Sequence, residues 1–467
     1  MSLAEIAPRI EDKAPSISPY PFPDVYIPQN ADKNILFVGS GGREHALAWK
    51  ARHSEGMGTI YVAPGNGGTE DLESTYNVHL DQNNFAEVAE AARDNKVELV
   101  VVGPEEPLVK GIADYLSEEH IPTFGPTQEL AMLEGSKVEA VRFMRRNKIP
   151  HPNYLVIDSF KDAYKALSLN GLDAPYWFGG GIVVKADGLA AGKGVFVCDT
   201  KEEAYQALNT IMVDKKFGDA GERVVIQEKL DGFEVSAIAI VNGTNYFLLP
   251  FAEDHKQAFD NDEGPNTGGM GILTPHPLIT PDIARQIEMQ IIIPTIAGIR
   301  RKFKDSYRGA LYAGLMMTRD GPRVLEYNVR FGDPETEGQL PILSDELNFT
   351  ETLDKAAKGT FRGLGSIPTN GETCVVVTLA SKGYPGSYEK GKIIEGVDKA
   401  QSIPGVTIFH AGTKRENGQL ATSGGRVLFA AATGPDVPAA RDRAYGAVHA
   451  IEFERKTFRG DIPRLHR

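Results

Sequence analysis

The densest chemistry in this chain lies in VLEYNVRFGDPE, residues 324–335. Its first part is composed like a β-strand. Side chains alternate along a strand, so Glu326, Asn328 and Arg330 share one face and Leu325 and Tyr327 the other. A carboxylate beside an amide oxygen is a hard-cation site of the Mg²⁺ type, to be completed by phosphate oxygens and water. Arg330 then stands beside the same phosphates. Gly332 and Pro334 fix a turn presenting Asp333 and Glu335, which argues against a merely exposed polar face.

A second stretch, KADGLAAGKGVFV at 185–197, reads as strand, glycine hairpin, strand. Such a hairpin, with Gly188, Gly192 and Gly194 in it and Lys193 at its tip, can fold over a polyanion. A Walker A loop needs four residues between its glycines, then Lys and Ser/Thr, then a helix. Here three residues separate Gly188 from Gly192 and a strand follows. A lysine within an apolar strand is costly unless it meets an anion, which singles out Lys185. Lys137 opens a helix just after Glu134, Gly135 and Ser136. Glu228, Lys229 and Leu230 end one strand and Glu234 begins the next, so a backbone hinge there can hold a base while Glu234 reaches sugar hydroxyls. The stretch 253–271, with His255, Lys256, Asn266, Thr267 and Gly268, is long and poor in apolar residues. It reads as an active-site loop.

Near the amino end, Gly39, Gly41 and Gly42 precede Arg43 in GSGGREH. The third glycine of a dinucleotide fingerprint is missing, and the second strand ends at Ala63–Pro64 with no acid for a ribose, so hydride chemistry is excluded. A glycine turn at a helix start, with Arg43 adding charge, remains either an anion site or simply a tight turn.

These groups need several elements to hold them. At 467 residues the chain exceeds a single core and divides into about three units. Strands at 34–38, 59–62 and 98–102 alternate with helices from 42, at 85–95 and at 107–119, predicting a doubly wound parallel sheet over 34–135. The region 136–345 is β-rich, with a sub-unit at about 150–228, a helix at 281–303, and a hairpin of strands 310–318 and 323–330 turning at 320–321. A small α+β unit covers 346–467. The fold class is therefore α/β and α+β multidomain, preceded by a proline-rich arm at 1–33. A net charge of -13 excludes a general nucleic-acid binder. No apolar run is long enough for a membrane span, and the arm has no apolar core of a signal peptide. Cys198 and Cys374, far apart, suit a reducing compartment and read as packed small residues. The expectation is a cytoplasmic protein.

In order along the chain, KADGLAAGKGV, EKLDGFE, DHK, GPNTGGMG and EYNVRFGDPE resemble the ATP-grasp ligases. GGREHALAWK, VGPEEPLVKG, LEGSK, YAGLM, GYPG, FHAGT and GGRVL extend the likeness to the phosphoribosylamine–glycine ligase (glycinamide ribonucleotide synthetase) family of de novo purine synthesis, over nearly all of the chain from residue 34. The resemblance implies that glycine's carboxylate takes the γ-phosphate of ATP, and that 5-phosphoribosylamine then displaces phosphate from the glycyl phosphate. It implies a Rossmann-like first domain, an ATP-grasp domain with a mobile glycine-rich lid, and a small last domain. By the same resemblance, Lys137 and Lys185 bind ATP phosphates, Glu228 to Leu230 form the adenine hinge, and Glu234 holds the ribose. The hairpin glycines and Lys193 form the lid. Glu326 and Asn328 bind Mg²⁺ or Mn²⁺. Arg330 steadies the transferring phosphate, Asp333 lies near glycine's ammonium, and Lys256 is a third catalytic candidate. Gly41, Gly42, Arg43 and Asn66 hold phosphoribosylamine, with Asn266, Thr267 and Gly268 as further substrate contacts. The partners implied are small molecules only, in a stand-alone monomer or weak homo-oligomer. Three departures stand out: Val329 where relatives often carry Cys, Glu337 where a Gln is common, and the arm. The competing readings are another ATP-grasp carboxylate–amine ligase, a carboxylase of that fold, or a nucleotide-binding regulator without catalysis.

Overall fold

In the computed structural model of the chain, residues 33–168, 180–190, 193–303 and 306–464 are described. The arm before Lys33 lies outside the described residues, as does Gly192 of the hairpin.

The apolar run KNILFVG makes the strand Lys33–Gly39, the centre of a five-stranded sheet. Met57–Pro64 and Leu99–Val102 flank it in parallel, with Val38 level with Ala63 and Val102. The outer strands, Thr75–Asn77 and Thr123–Phe124, are also parallel to their neighbours. They are too short to carry a readable period and were not predicted. The helix expected at 107–119 is two, Glu105–Val109 and Ile112–Glu118, parted at Gly111, whose φ of 94° leaves the right-handed helix.

The glycine hairpin belongs to a separate antiparallel sheet ordered Tyr154–Ile157, Val224–Glu228, Ile182–Ala186, Val195–Cys198. Two helices, Phe160–Ser168 and Lys201–Leu208, pack with it around a core that includes Leu167, Val184, Leu208 and Ile226.

At the centre, Phe233–Asn242 pairs with Asn245–Leu248 on one side and Arg308–Thr318 on the other, and Gly321–Asn328 completes this sheet. The last hairpin pairs Thr318 with Gly321 and so turns on Arg319–Asp320, one residue earlier than expected. Its second strand ends at Asn328, not 330. Gly314 faces Glu326 whereas Leu315 faces Val324, so Leu325 is left over as a β-bulge. The helix expected at 281–303 contains a wider turn, Glu288–Ile292, between Pro281–Ile287 and Ile293–Lys302. Pro294 supplies no N–H to the regular ladder there.

The stretch 253–271 is not a free loop. Glu253–Asp254 and Gly271–Thr274 are strands, and Gln257–Phe259 pairs with Glu263–Asn266 as a small hairpin. Gly271–Thr274 runs against Thr373–Ser381, so the sheet of the last unit begins in the centre of the molecule. Arg426–Gly434 and Val406–His410 continue it, and the helix Val437–Ala450 packs on it. The last unit is therefore not self-contained: one apolar cluster holds Leu273 with Val375, Val377 and Val427, and another joins Phe37 to Val376, Phe409 and Phe429. Cys198 and Cys374 are free thiols, both buried.

Candidate active site

The bulge in the Gly321–Asn328 strand organises the centre of the site. Lys185, only 6% exposed, reaches across from the hairpin sheet and its Nζ donates to the Leu325 carbonyl at 3.0 Å. That contact places Lys185 beside Glu326. Burial pulls the Lys185 ammonium down to about 8, with Lys137 and Lys256 adding to the fall and Glu326 opposing it. Burial alone would raise the Glu326 carboxyl, but Lys137, Lys185, Lys256 and Arg330 outweigh it and hold the group at about 2. Glu326 is thus ionised among four cations. A cavity at this point is lined by Glu134, Lys137, Lys185, Gln227, Leu325 and Glu326.

Asp187, which the sequence reading passed over, fixes the hairpin sheet to this cavity. One oxygen accepts from Ser136 Oγ at 2.8 Å and from the Val138 N–H at 2.9 Å, and the Asp187 carbonyl accepts from the Lys137 N–H at 2.9 Å. Lys137 is so delivered at the start of its helix, Lys137–Arg146, which Ser136 caps. In the hairpin, Ala186 N–H donates to the Gly194 carbonyl and Lys193 N–H to the Ala190 carbonyl, both at 2.9 Å, with Lys193 exposed. A side chain at Gly188 would strike Ala220, and one at Gly194 would strike Ala190.

Arg330 lies just past the strand. Its guanidinium donates to Asn328 Oδ1 at 3.2 Å and pairs with Glu134 at 3.2 Å and Glu105 at 3.4 Å. Val329 points into the apolar core while its N–H donates to Glu134 Oε2 at 2.8 Å. Glu326 and Asn328 offer oxygen donors suited to a hard divalent cation. Among the described residues no group of three or more His, Cys, Asp or Glu could hold a metal. A cation held by these two oxygens would need phosphate or water to complete its shell.

Lys256 Nζ pairs with Glu234 Oε2 at 2.5 Å, so these two candidates from separate motifs meet. Glu228 accepts from the Asn153 side chain at 2.9 Å, and the Lys229 side chain pairs with Asp199 at 2.5 Å. The Lys229 N–H is given to the Gly181 carbonyl at 3.3 Å.

Thr267 closes its loop by donating from N–H and Oγ1 to the Lys256 carbonyl, at 2.7 and 2.8 Å. Gly268 N–H donates to Tyr384 Oη at 2.9 Å, and its carbonyl accepts from Arg426. Asn266 is exposed and its side chain meets Gln257. Arg426 also pairs with Asp333 at 2.8 Å, which makes it a site residue the sequence reading missed. Its only signal there was the motif GGRVL.

The glycine turn leads into the helix Gly42–Arg52. Glu44 Oε2 accepts from the Gly41 N–H at 2.6 Å, so the positive end of the helix carries its own carboxylate. Arg43 is buried, pairing with Glu44 at 2.6 Å and donating to the Phe331 carbonyl at 3.3 Å. Asn66 is spent internally: its amide donates to the carbonyls of Ser40, Gly41 and His410, and its oxygen accepts from the N–H groups of Gly68 and Thr69. Arg43 and Asn66 shape this corner from within, through contacts to the chain itself. Gly41 itself faces Asp333, whose Oδ2 would lie 3.1 Å from a side chain added there.

Three family models match in succession: Phosphoribosylglycinamide synthetase, N domain, over residues 33–134; its ATP-grasp (A) domain over 135–336; and its C domain over 374–464. A phosphoribosylamine--glycine ligase of Rhodopirellula baltica is 43% identical over 431 residues, 92% of this chain and 97% of that one. The trifunctional purine biosynthetic protein adenosine-3 of Gallus gallus is 44% identical over 92% of this chain and 42% of its own length. The crystal structure of phosphoribosylamine--glycine ligase from Thermotoga maritima superposes with a TM-score of 0.76 at 35% identity, covering 92% of this chain and 99% of that one. Biotin carboxylase from Campylobacter jejuni, at 13% identity and a TM-score of 0.69, shares the fold.

Proposed function

This chain belongs to the phosphoribosylglycinamide synthetase family, and on that premise we propose that it joins glycine to 5-phosphoribosylamine in purine synthesis. It is an ATP-dependent ligase. In the first step a glycine carboxylate oxygen bonds to the γ-phosphorus as the bond to ADP breaks. In the second, the amine nitrogen of phosphoribosylamine bonds to the acyl carbon, phosphate leaves, and the nitrogen gives up a proton.

The observation that carries this reading is the gathering of Lys137, Lys185, Lys256 and Arg330 around the Glu326 carboxylate. Phosphoryl transfer requires position and charge neutralisation above all, and fixed cations in a recess from water supply both. Lys185 and Lys137 hold phosphate oxygens of ATP. Arg330, anchored by Glu134 and Glu105, steadies the transferring group. Glu326 and Asn328 would hold Mg²⁺ or Mn²⁺, which when bound adds positive charge at the phosphates. The hinge from Glu228 to Leu230 takes the adenine, and Glu234, oriented by Lys256, takes the ribose. Asp333, held by Arg426, faces glycine's ammonium, with Thr267 and Gly268 alongside. The Gly41–Gly42 turn bounds the pocket for phosphoribosylamine, and Arg43 and Asn66 set its shape. The hairpin around Gly188, Lys193 and Gly194 covers the acyl phosphate, which water would otherwise destroy. The residue boundaries 34–135, 136–345 and 346–467 serve as working domain limits, for a cytoplasmic enzyme acting as a monomer or weak homo-oligomer.

The test is ADP formation from ATP and Mg²⁺, with glycine and phosphoribosylamine supplied together or singly. ADP should form at full rate only with both. Release that needs neither, or that prefers bicarbonate, would overturn the reading in favour of a carboxylase.

A further inference from the structure

Glu337 lies on the short helix Glu335–Gln339, just beyond the RFGDPE turn, where that helix packs against the helix Gly42–Arg52 of the first domain and the Arg426–Gly434 strand of the last. The residue is 0% exposed, and beyond its own backbone N–H neither carboxyl oxygen has a hydrogen-bond partner among the described residues. The carboxyl sits directly beneath the glycine turn. A side chain added at Gly42 would come within 2.5 Å of Glu337 Oε1 and 2.3 Å of the Phe429 ring.

The charged groups facing it are Arg43 from the first-domain helix, Asp333 from the turn, and Arg426 from the last sheet. Each cation is already matched: Arg43 with Glu44 at 2.6 Å, Arg426 with Asp333 at 2.8 Å. The strands Gly271–Thr274 and Thr373–Ser381 meet the same helix at Gly338 with Ile272, Thr274 and Val376. A carboxylate formed at Glu337 would be a surplus buried anion beside Asp333, able to find a partner only by drawing Arg43 or Arg426 from its own.

We propose that Glu337 is a positioning residue that works as a neutral carboxylic acid, fixing the Gly41–Gly42 turn against Phe429, and that loss of its proton weakens capture of phosphoribosylamine. The proposal rests on the reading of that turn as one wall of the amine-substrate pocket. Burial, and next the Asp333 carboxylate, push the Glu337 carboxyl well above the ordinary carboxylate range. Ionisation would draw Arg43 from Glu44 or Arg426 from Asp333, and so disturb the glycine turn that Glu44 holds. The ATP-binding groups around Glu326 lie on other elements and would be left in place.

The experiment compares the wild type with Glu337→Gln, which has the same shape and is neutral at every pH. KM for phosphoribosylamine, and separately KM for ATP, would be followed from neutral to alkaline pH. In the wild type the phosphoribosylamine KM should climb with pH by up to about tenfold per unit, the limit for loss of one proton, while the ATP KM should not share that climb. Glu337→Gln should match the wild type at neutral pH and lack the added alkaline rise. An alkaline profile the same in both proteins overturns the proposal, as does a Gln variant impaired at neutral pH. A protonated-carboxyl band that the Gln variant lacks, in infrared difference spectra, is required as well, and its absence from the wild type overturns the proposal even if the variant fails to fold. Failure of the wild type to make ADP with glycine and phosphoribosylamine would instead refute the underlying reading.

Discussion

The hairpin module and the unit that closes the chain are both small α+β packings against the same centre, yet they are joined to it by different means. The module, from Tyr154 to Glu228, has a private apolar core. It also packs Val225, with Tyr154 and Val156 beside it, into the apolar cluster of the Lys137–Arg146 helix, and its ties nearer the site are polar and few: Asp187 to the Lys137 helix and Lys185 to the Leu325 carbonyl. The closing unit shares its sheet with Gly271–Thr274 and its apolar clusters with both other domains. Arg459, wholly buried, clamps Asp262 of the central hairpin at 2.9 Å. Shared apolar packing cannot be opened without exposing a core, whereas a few hydrogen bonds can be exchanged for water or ligand at small net cost. The comparison teaches which side of the site is wall and which is cover.

The largest effect should come from the wall. Glu326→Ala removes the carboxylate that all four cations act on, and ADP formation should fall by about 10²–10³-fold, the scale of a lost electrostatic contact at a transition state. Its melting temperature should hold. A collapse of the fold would make Glu326 structural instead. Lys185→Ala, on the cover's edge, should lose ATP affinity by roughly ten- to a hundredfold, the weight of a charged hydrogen bond. Titration with ATP measures this, and unchanged affinity would remove Lys185 from the phosphate site.

The difference in joining can be tested by stability. Leu273 and Val184 are both fully buried, one in the shared packing and one in the private core. Leu273→Ala should cost about 2–5 kcal/mol and speed hydrogen exchange in the centre and the closing unit together. Val184→Ala should cost less and speed exchange only within 154–228. If Leu273→Ala were felt only in 373–464, the two units would be joined alike and the contrast would fail.

A smaller effect concerns the seam between first and last domains. The His410 N–H donates to His45 Nδ1 at 2.9 Å, which requires that nitrogen to be unprotonated. Burial holds His410 down to about 3, and burial followed by His410 holds His45 well below its usual value. Both are depressed relative to about 6.5 in an unfolded chain. Their contribution to stability is therefore whole above that pH and is lost as pH falls below it, because only the unfolded chain takes up the protons. His410 should cost about 2 kcal/mol by pH 5, with His45 acting in the same direction, read as a drop in melting temperature that His410→Gln lessens. An equal drop in that variant would put the acid sensitivity elsewhere.

What was legible in the sequence follows from range. Glu326, Asn328 and Arg330 could be read because two-residue alternation is local. Lys185 could be read because a cation in an apolar strand is anomalous by itself. The bulge at Leu325 depends on the partner strand and leaves no local mark. The strand Gly271–Thr274 went unread because its four residues acquire a role only from Thr373–Ser381, about a hundred positions on. Arg426 was passed over for the same reason, since its partner Asp333 is 93 positions away. At the first glycine turn the sequence left an anion site and a tight turn both open, and only the fold shows that Arg43 pairs with its neighbour Glu44.

The smallest effect expected is at the hairpin tip, and it bears most directly on what a cover does. Lys193 is exposed, with its N–H donated to Ala190 of the same hairpin. Lys185 is buried and bonded across to the wall. If the hairpin only closes over ATP already held by Lys185 and Lys137, removing the tip charge should leave ATP affinity nearly unchanged. Closure would still lose one favourable contact. Lys193→Ala should then slow turnover by roughly two- to fivefold, the scale of one exposed charge, and raise the share of ATP hydrolysed without product. Single-turnover measurement of ADP against glycinamide ribonucleotide separates the two. Loss of ATP affinity comparable to that of Lys185→Ala would mean that the tip is a fixed ligand, and that the module belongs to the wall.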